Sequence, residues 1–186
     1  MTPNGIETTA EWKAHDYEAW IVACDRHDMN LIYSGGDDGL FRIWDIRQQP
    51  DHSVVTNKHH QMGVTAMQSH PTTPGRLVTG SYDEGIRLWD QRQWKRPLME
   101  IQMSGGIWRL KWHSLDPSML LTACMHGGFH VVRVGEGGME IETSFLEHQS
   151  LAYGVDWLTD GKAVSCSFYD HAMHMWSTAA SSSTDA

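Results

Sequence analysis

The sequence predicts an all-β fold, a β-propeller of which about four blades are present, and three observations carry that prediction. First, Gly80-Ser81-Tyr82-Asp83-Glu84-Gly85-Ile86-Arg87-Leu88-Trp89-Asp90 reads as a strand end, a tight turn and a second strand of alternating apolar and polar residues. Second, the pattern recurs at Gly35-Gly36-Asp37-Asp38-Gly39-Leu40-Phe41-Arg42-Ile43-Trp44-Asp45, with Trp44 standing 45 residues before Trp89. Third, Ser167-Phe168-Tyr169-Asp170-His171-Ala172-Met173-His174-Met175-Trp176 repeats it 87 residues after Trp89, which is two periods. Ala123-Cys124-Met125-His126-Gly127-Gly128-Phe129-His130-Val131-Val132 fills the gap in register. A period of about 40–45 residues is that of a blade built from four short strands.

The Trp-Asp endings at this period resemble WD-repeat proteins, whose rings usually close with about seven blades. Residues 14–176 hold four such units, so the chain is expected to be an incomplete part of a seven-bladed ring; a genuine four-bladed ring is the alternative. Residues 1–13 are too short for a blade, and Ile6 to Trp12 reads as the outer strand of a preceding one. The first unit carries His15, Ser34, Asp38 and Trp44, a set that in WD repeats hydrogen-bonds in a chain and pairs its own buried polar atoms. The second repeats it with His60, Thr79, Asp83 and Trp89. The third departs: Thr122 is kept, but His126 replaces the aspartate, Val132 the tryptophan, and Gly105-Gly106 offers no histidine. The fourth has His148, Asp170 and Trp176, with Cys166 read at the hydroxyl position. Gly135-Glu136-Gly137-Gly138 is a turn between outer strands. Residues 177–186, small and polar, are expected to be a disordered tail.

Composition narrows the function classes. A formal charge of −9 with no run of Lys and Arg argues against nucleic acid as a partner. The longest apolar stretch, around Met119 to Met125, is too short to span a bilayer, and the N-terminus lacks the apolar core of a signal peptide. The cysteines Cys24, Cys124 and Cys166 are odd in number and widely spaced, which suits a reducing compartment, most simply the cytoplasm.

Aligning the inner strands places Trp20, Thr65, Trp108 and Tyr153 in equivalent positions, at intervals of 45, 43 and 45 residues. Inner strands line the channel of a propeller, so the three aromatics converge on its mouth. They pack between blades as buried area, or they form a surface that attracts a quaternary ammonium group. His126 occupies a turn near that face without the partners of the regular set, either as a plain turn residue or as an acid or base. Glu18 and Asp156 are the carboxylates expected nearest the mouth, free to polarise a water, attract a cation or stay solvated. Esterase-elbow, His-Glu-x-x-His, phosphate-loop and dinucleotide signatures are missing. The twelve histidines include His15, His60 and His148, already used by the repeat, and the remainder form no closed ligand set. No metal and no cofactor is expected.

Several segments are more specific than the repeat. His15-Asp16-Tyr17-Glu18-Ala19-Trp20-Ile21, Gly105-Gly106-Ile107-Trp108-Arg109-Leu110-Lys111-Trp112-His113, Ala123 to Phe129 and Cys166 to Trp176 together resemble the C-terminal half of the diphthine methyl ester hydrolase family, through all four units in order. The resemblance implies an enzyme of diphthamide biosynthesis that removes a methyl ester from the over-methylated diphthine on elongation factor 2 and releases methanol. It implies elongation factor 2 as partner, with other proteins of that pathway as further ones. On this reading Trp20, Trp108 and Tyr153 cradle the trimethylammonium group, and His126, helped by Glu18 or Asp156, activates water. Arg109 or backbone N–H groups stabilise the oxyanion. A non-catalytic WD-repeat scaffold using the same face fits composition and repeat equally well.

Overall fold

A computed structural model describes residues 5–49, 51–158 and 161–178. They form fifteen strands and no α-helix, arranged as four antiparallel sheets in which consecutive strands are neighbours. The first blade is β1 (Ala19–Cys24), β2 (Leu31–Gly36), β3 (Phe41–Asp45) and β4 (Val55–Asn57). The second is β5 (Val64–Ser69), β6 (Arg76–Ser81), β7 (Gly85–Asp90) and β8 (Met99–Gln102). The third is β9 (Arg109–Trp112), β10 (Met119–Ala123), β11 (Phe129–Gly135) and β12 (Gly138–Phe145). The fourth has three strands, β13 (Ala152–Trp157), β14 (Lys162–Ser167) and β15 (Met173–Ser177).

The cores lie between blades. Tyr33, Phe41 and Ile43 of the first blade meet Leu77 and Trp89 of the second. Val78 and Ile86 of the second meet Leu110, Leu120 and Val132 of the third. Leu121, Phe129 and Val131 of the third meet Val155 and Trp176 of the fourth. Adjacent strand residues point to opposite faces, so Leu120 faces one neighbour and Leu121 the other. Val132, standing where a tryptophan stands in the other blades, fills the same interface with less volume. The arc is open: Val22 on the first blade and Met173 and Met175 on the fourth are exposed. The WD-repeat propeller expected from the sequence is thus present as a partial one.

Residues 6–15 carry no strand, so the outer strand expected at Ile6 to Trp12 is not formed here. A strand exists only where a neighbour takes its hydrogen bonds. Trp12 instead covers Trp44, their ring centroids 5.6 Å apart. Of the tail expected from Ser177, Ser177 closes β15 and residues 179–186 lie outside the described ones.

The hydrogen-bonded sets form as expected in the first two blades. His15 bonds Asp38 at 3.0 Å through Nδ1 and Ser34 at 2.8 Å through Nε2, and the Trp44 indole donates to Ser34 at 2.9 Å. In the second blade the corresponding distances to Asp83 and Thr79 and from Trp89 are 3.1, 2.7 and 2.9 Å. The fourth blade corrects the sequence reading. Its hydroxyl is Ser165, which His148 Nε2 meets at 3.0 Å and the Trp176 indole at 3.1 Å, while His148 Nδ1 bonds Asp170 at 2.9 Å. Cys166 is exposed. The turn before Asp170 is one residue longer than its counterparts, which shifts any count made backwards from the aspartate. In the third blade His130 substitutes for the missing set, bonding the Gly127 carbonyl at 2.9 Å and Ser144 at 2.8 Å.

Burial pushes His60 below the ordinary histidine value, against the pull of Asp83, and lowers His70 and His130 as well. Burial also opposes ionisation of Asp83, but the hydrogen bonds from His60, Gln61 and Gly85 outweigh it and hold the carboxyl well below its usual range. The unfolded chain therefore takes up protons below about pH 6.5 that the folded histidines refuse, and stability falls as pH drops through that value. The contribution of Asp83, full above about pH 3.9, is lost as pH falls further toward its folded pKa. Thermal unfolding should have a lower midpoint at about pH 5.5 than at about pH 7.5; equal midpoints would contradict this.

Candidate functional site: an aromatic row at the channel mouth

Three of the four inner strands begin with the same irregularity. Ala19 pairs with Gly36 and Ile21 with Gly35, Val64 with Ser81 and Ala66 with Gly80, and Ala152 with Ser167 and Gly154 with Cys166. The residues left over by these bulges are Trp20, Thr65 and Tyr153. A bulge re-aims the side chain it carries and increases the local twist. Trp108, just ahead of β9, donates its backbone N–H to the Ala123 carbonyl at 2.8 Å. The bulged Trp20 and Tyr153 both meet Trp108: Trp20 and Trp108 have centroids 5.7 Å apart, and Trp108 stacks on Tyr153 at 4.7 Å with 19° between planes.

The second blade has Thr65 where the others have rings, its hydroxyl turned to the carbonyls of Gly80 and Ile107. Tyr82, from the β6–β7 turn, supplies a ring there, 6.1 Å from Trp20 and 6.0 Å from Trp108. Its N–H bonds Gly63 C=O at 2.9 Å; Asp37 and Phe168 make the same turn contact with Glu18 and Leu151, at 2.8 and 3.1 Å. Phe168 extends the row, 5.1 Å from Tyr153. At the other end, Asp37 Oδ1 accepts the Trp20 indole N–H at 3.3 Å. Gly63 allows this close approach: a Cβ there would lie 2.7 Å from Asp37 Oδ1 and 3.2 Å from the Tyr82 ring. Burial, then the neighbouring Tyr153 and Asp37, raise the Tyr82 hydroxyl above its ordinary pKa, so it stays protonated. Trp20 is 41% exposed and Phe168 52%, so the row faces solvent rather than the core.

The structure thus brings Trp20, Trp108 and Tyr153 together but does not bring every sequence candidate to them. Arg109 lines the channel beneath, a cavity of about 550 Å³ shared with Arg26, Gln68 and Lys111. Glu18 meets the row through its backbone carbonyl. Asp156 lies three residues along β13 from Tyr153, roughly 10 Å at strand rise, and its carboxylate is paired with Lys111 at 3.0 Å. His126 is exposed and lines a separate cavity of about 260 Å³ with Phe145, Leu146 and His148, to which no residue of the row contributes. The mouth location expected for those two does not hold, because strand rise carries one away and the third-blade turn points the other between blades. Asp37, Tyr82 and Phe168 were not singled out by sequence. Their signal is the turn position, one residue before the aspartate in the first two blades and two before it in the fourth. Among the described residues, no group of three His, Cys, Asp or Glu side chains is placed to hold a metal ion, and no helix is long and apolar enough to cross a membrane.

The WD domain, G-beta repeat family matches residues 7–45 and 51–90, the two units whose hydrogen-bonded sets are complete and regularly spaced. Across 89% of its length the chain is 40% identical to a "Diphthine methyltransferase homolog" of Dictyostelium discoideum. The "Diphthine methyltransferase" of Homo sapiens is 45% identical over 82% of the chain. The chain is a WD-repeat relative of the diphthine methyltransferases. That of Schizosaccharomyces pombe is 36% identical over 89% of the chain. The chain spans 51%, 34% and 53% of these three proteins, about half their length or less. The similarity runs well beyond the two regular units, so the irregular third and fourth blades fall within it.

Proposed function

We propose that the chain is part of an enzyme of diphthamide biosynthesis that hydrolyses the methyl ester of methylated diphthine on elongation factor 2 in the cytoplasm. Water adds to the ester carbonyl, the acyl C–O bond breaks, the methoxy group leaves as methanol after taking a proton, and a carboxylate remains. The observation that carries the reading is the row of Trp20, Tyr82, Trp108 and Tyr153 at one mouth, in a chain similar to proteins named for diphthine. Diphthine bears a trimethylammonium group, and aromatic rings attract such a cation. Of the sequence candidates, Arg109, which lines the channel beneath the row, and Glu18, whose backbone carbonyl accepts from Asp37, remain for stabilising the oxyanion and activating water. Of the other sequence candidates, His126 lines a different cavity and the Asp156 carboxylate is paired with Lys111.

The test incubates the chain with elongation factor 2 carrying methylated diphthine and follows methanol release and the mass of the modified peptide. Loss of the ester methyl is the expected result. Trp108→Ala should lower kcat/KM by about fivefold, the worth of a solvent-facing cation–π contact of about 1 kcal/mol. His126→Ala should leave the rate within about twofold; a collapse would return His126 to the mechanism. A stable complex with no mass change would sink the enzyme reading in favour of a non-catalytic scaffold.

A further inference from the structure

Asp37 is unlike its counterparts in the other blades. The matching positions hold Tyr82 and Phe168, both uncharged, and each makes the same backbone contact to the loop before the inner strand. Turn and strand carboxylates elsewhere in the blades are occupied: Asp38 and Asp83 by histidines, Asp45 and Asp90 by arginines, Asp156 by Lys111. Asp37 is exposed, and among the described residues no Lys, Arg or His pairs with it. Among the described residues its one side-chain hydrogen-bond partner is the neutral indole of Trp20. It is therefore a fixed negative charge at the edge of an aromatic triangle whose sides, Trp20 to Tyr82, Tyr82 to Trp108 and Trp108 to Trp20, are 6.1, 6.0 and 5.7 Å. A cation seated about 3 Å above the plane of the three centroids lies within about 6 Å of each, with the faces turned at 86°, 41° and 68° to one another.

We infer that Asp37 is the specificity-determining residue of this site, the counter-charge that makes it prefer an esterified quaternary ammonium over the corresponding carboxylate. The inference rests on the aromatic row being the cation site of the proposed function. The ester form of such a ligand carries one positive charge. After hydrolysis the same ligand is a zwitterion whose new carboxylate stands a few ångströms from the ammonium. A fixed carboxylate at the rim attracts the first and repels the negative end of the second. At a separation of about 7 Å and an effective dielectric of about 50, between that of a protein surface and that of bulk water, the repulsion amounts to about a fivefold difference in affinity. The rings supply attraction common to both forms, and Asp37 supplies the difference. The consequence for turnover is that product leaves more readily than substrate.

The matched probes are glycine betaine methyl ester and glycine betaine, titrated against the 186-residue chain with tryptophan fluorescence as the readout. The neutral tert-butyl isostere of the ester serves as the uncharged reference. The ester should bind about fivefold tighter than betaine, and the isostere more weakly than the ester. Asp37→Asn, which keeps an oxygen for the Trp20 indole, should weaken the ester several-fold, leave betaine nearly unchanged and bring the ratio close to one. In the unmutated chain, raising the salt toward about 1 M should shrink the same ratio by screening, with no dependence on how the variant folds. A ratio indifferent to both Asp37→Asn and salt overturns the inference, as does equal binding of ester and isostere. None of these readings requires turnover. Absence of methanol release with the ratio intact would remove the enzymatic reading alone, and turnover with a flat ratio would remove the role of Asp37 alone.

Discussion

Trp89→Ala is expected to destabilise the chain by about 4 kcal/mol, enough to consume a large part of the 5–15 kcal/mol that holds an ordinary domain folded. Trp89 is 0% exposed and is the largest side chain wholly enclosed between the first and second blades. Phe41 meets it edge to face at 5.1 Å and His59 at 5.5 Å, so truncation leaves a cavity walled by rings that cannot collapse into it. The indole N–H also donates to Thr79 at 2.9 Å, at the centre of the chain that runs through His60 to Asp83. Removing it takes a donor from a buried hydroxyl and frees the chain to misalign. Urea denaturation followed by circular dichroism gives the loss directly. A change below about 1 kcal/mol would mean that the interface repacks, and that the tryptophan of this repeat is not the anchor its burial indicates. Val132 shows how another blade manages without it: the corresponding interface, between the second and third blades, is closed by a smaller side chain, and His130 takes up the hydrogen bonding elsewhere.

How much of this was readable beforehand differs by level. The repeat was legible because blade packing buries both faces of every middle strand. Apolar residues, turn aspartates and tryptophans must therefore recur at one spacing, and the sheets follow that spacing. The convergence of Trp20, Trp108 and Tyr153 was legible for the same reason, since equivalent positions on inner strands face one axis. Tyr82 was not, because it enters the row from a turn to occupy space left by Thr65, and that exchange between two elements leaves no periodic trace. Asp156 misled because sequence alignment gives equivalence around the axis but not height along it, and three residues of strand rise separate it from the mouth. His126 misled because a turn that has lost its aspartate also loses the contact that would fix its direction.

The fourth blade turns that last point into a measurement. Counting four residues back from Asp170, as from Asp38 to Ser34 and from Asp83 to Thr79, lands on Cys166, and the strand pairing shows instead that Ser165 carries the set. One added residue before the aspartate lets the turn bulge outward and present Phe168 to Tyr153 while the histidine, hydroxyl and indole keep their bonding. Ser165 is 2% exposed and bridges two buried nitrogens, so Ser165→Ala should cost about 3 kcal/mol by orphaning both the Trp176 N–H and His148 Nε2. Cys166→Ala removes only an exposed thiol and should stay within about 0.5 kcal/mol. Chemical denaturation of the two variants side by side decides between the registers. The larger loss falling on Cys166 would place the hydroxyl position where simple counting puts it, and would take Phe168 out of the aromatic row, since the added residue that delivers it would then not exist.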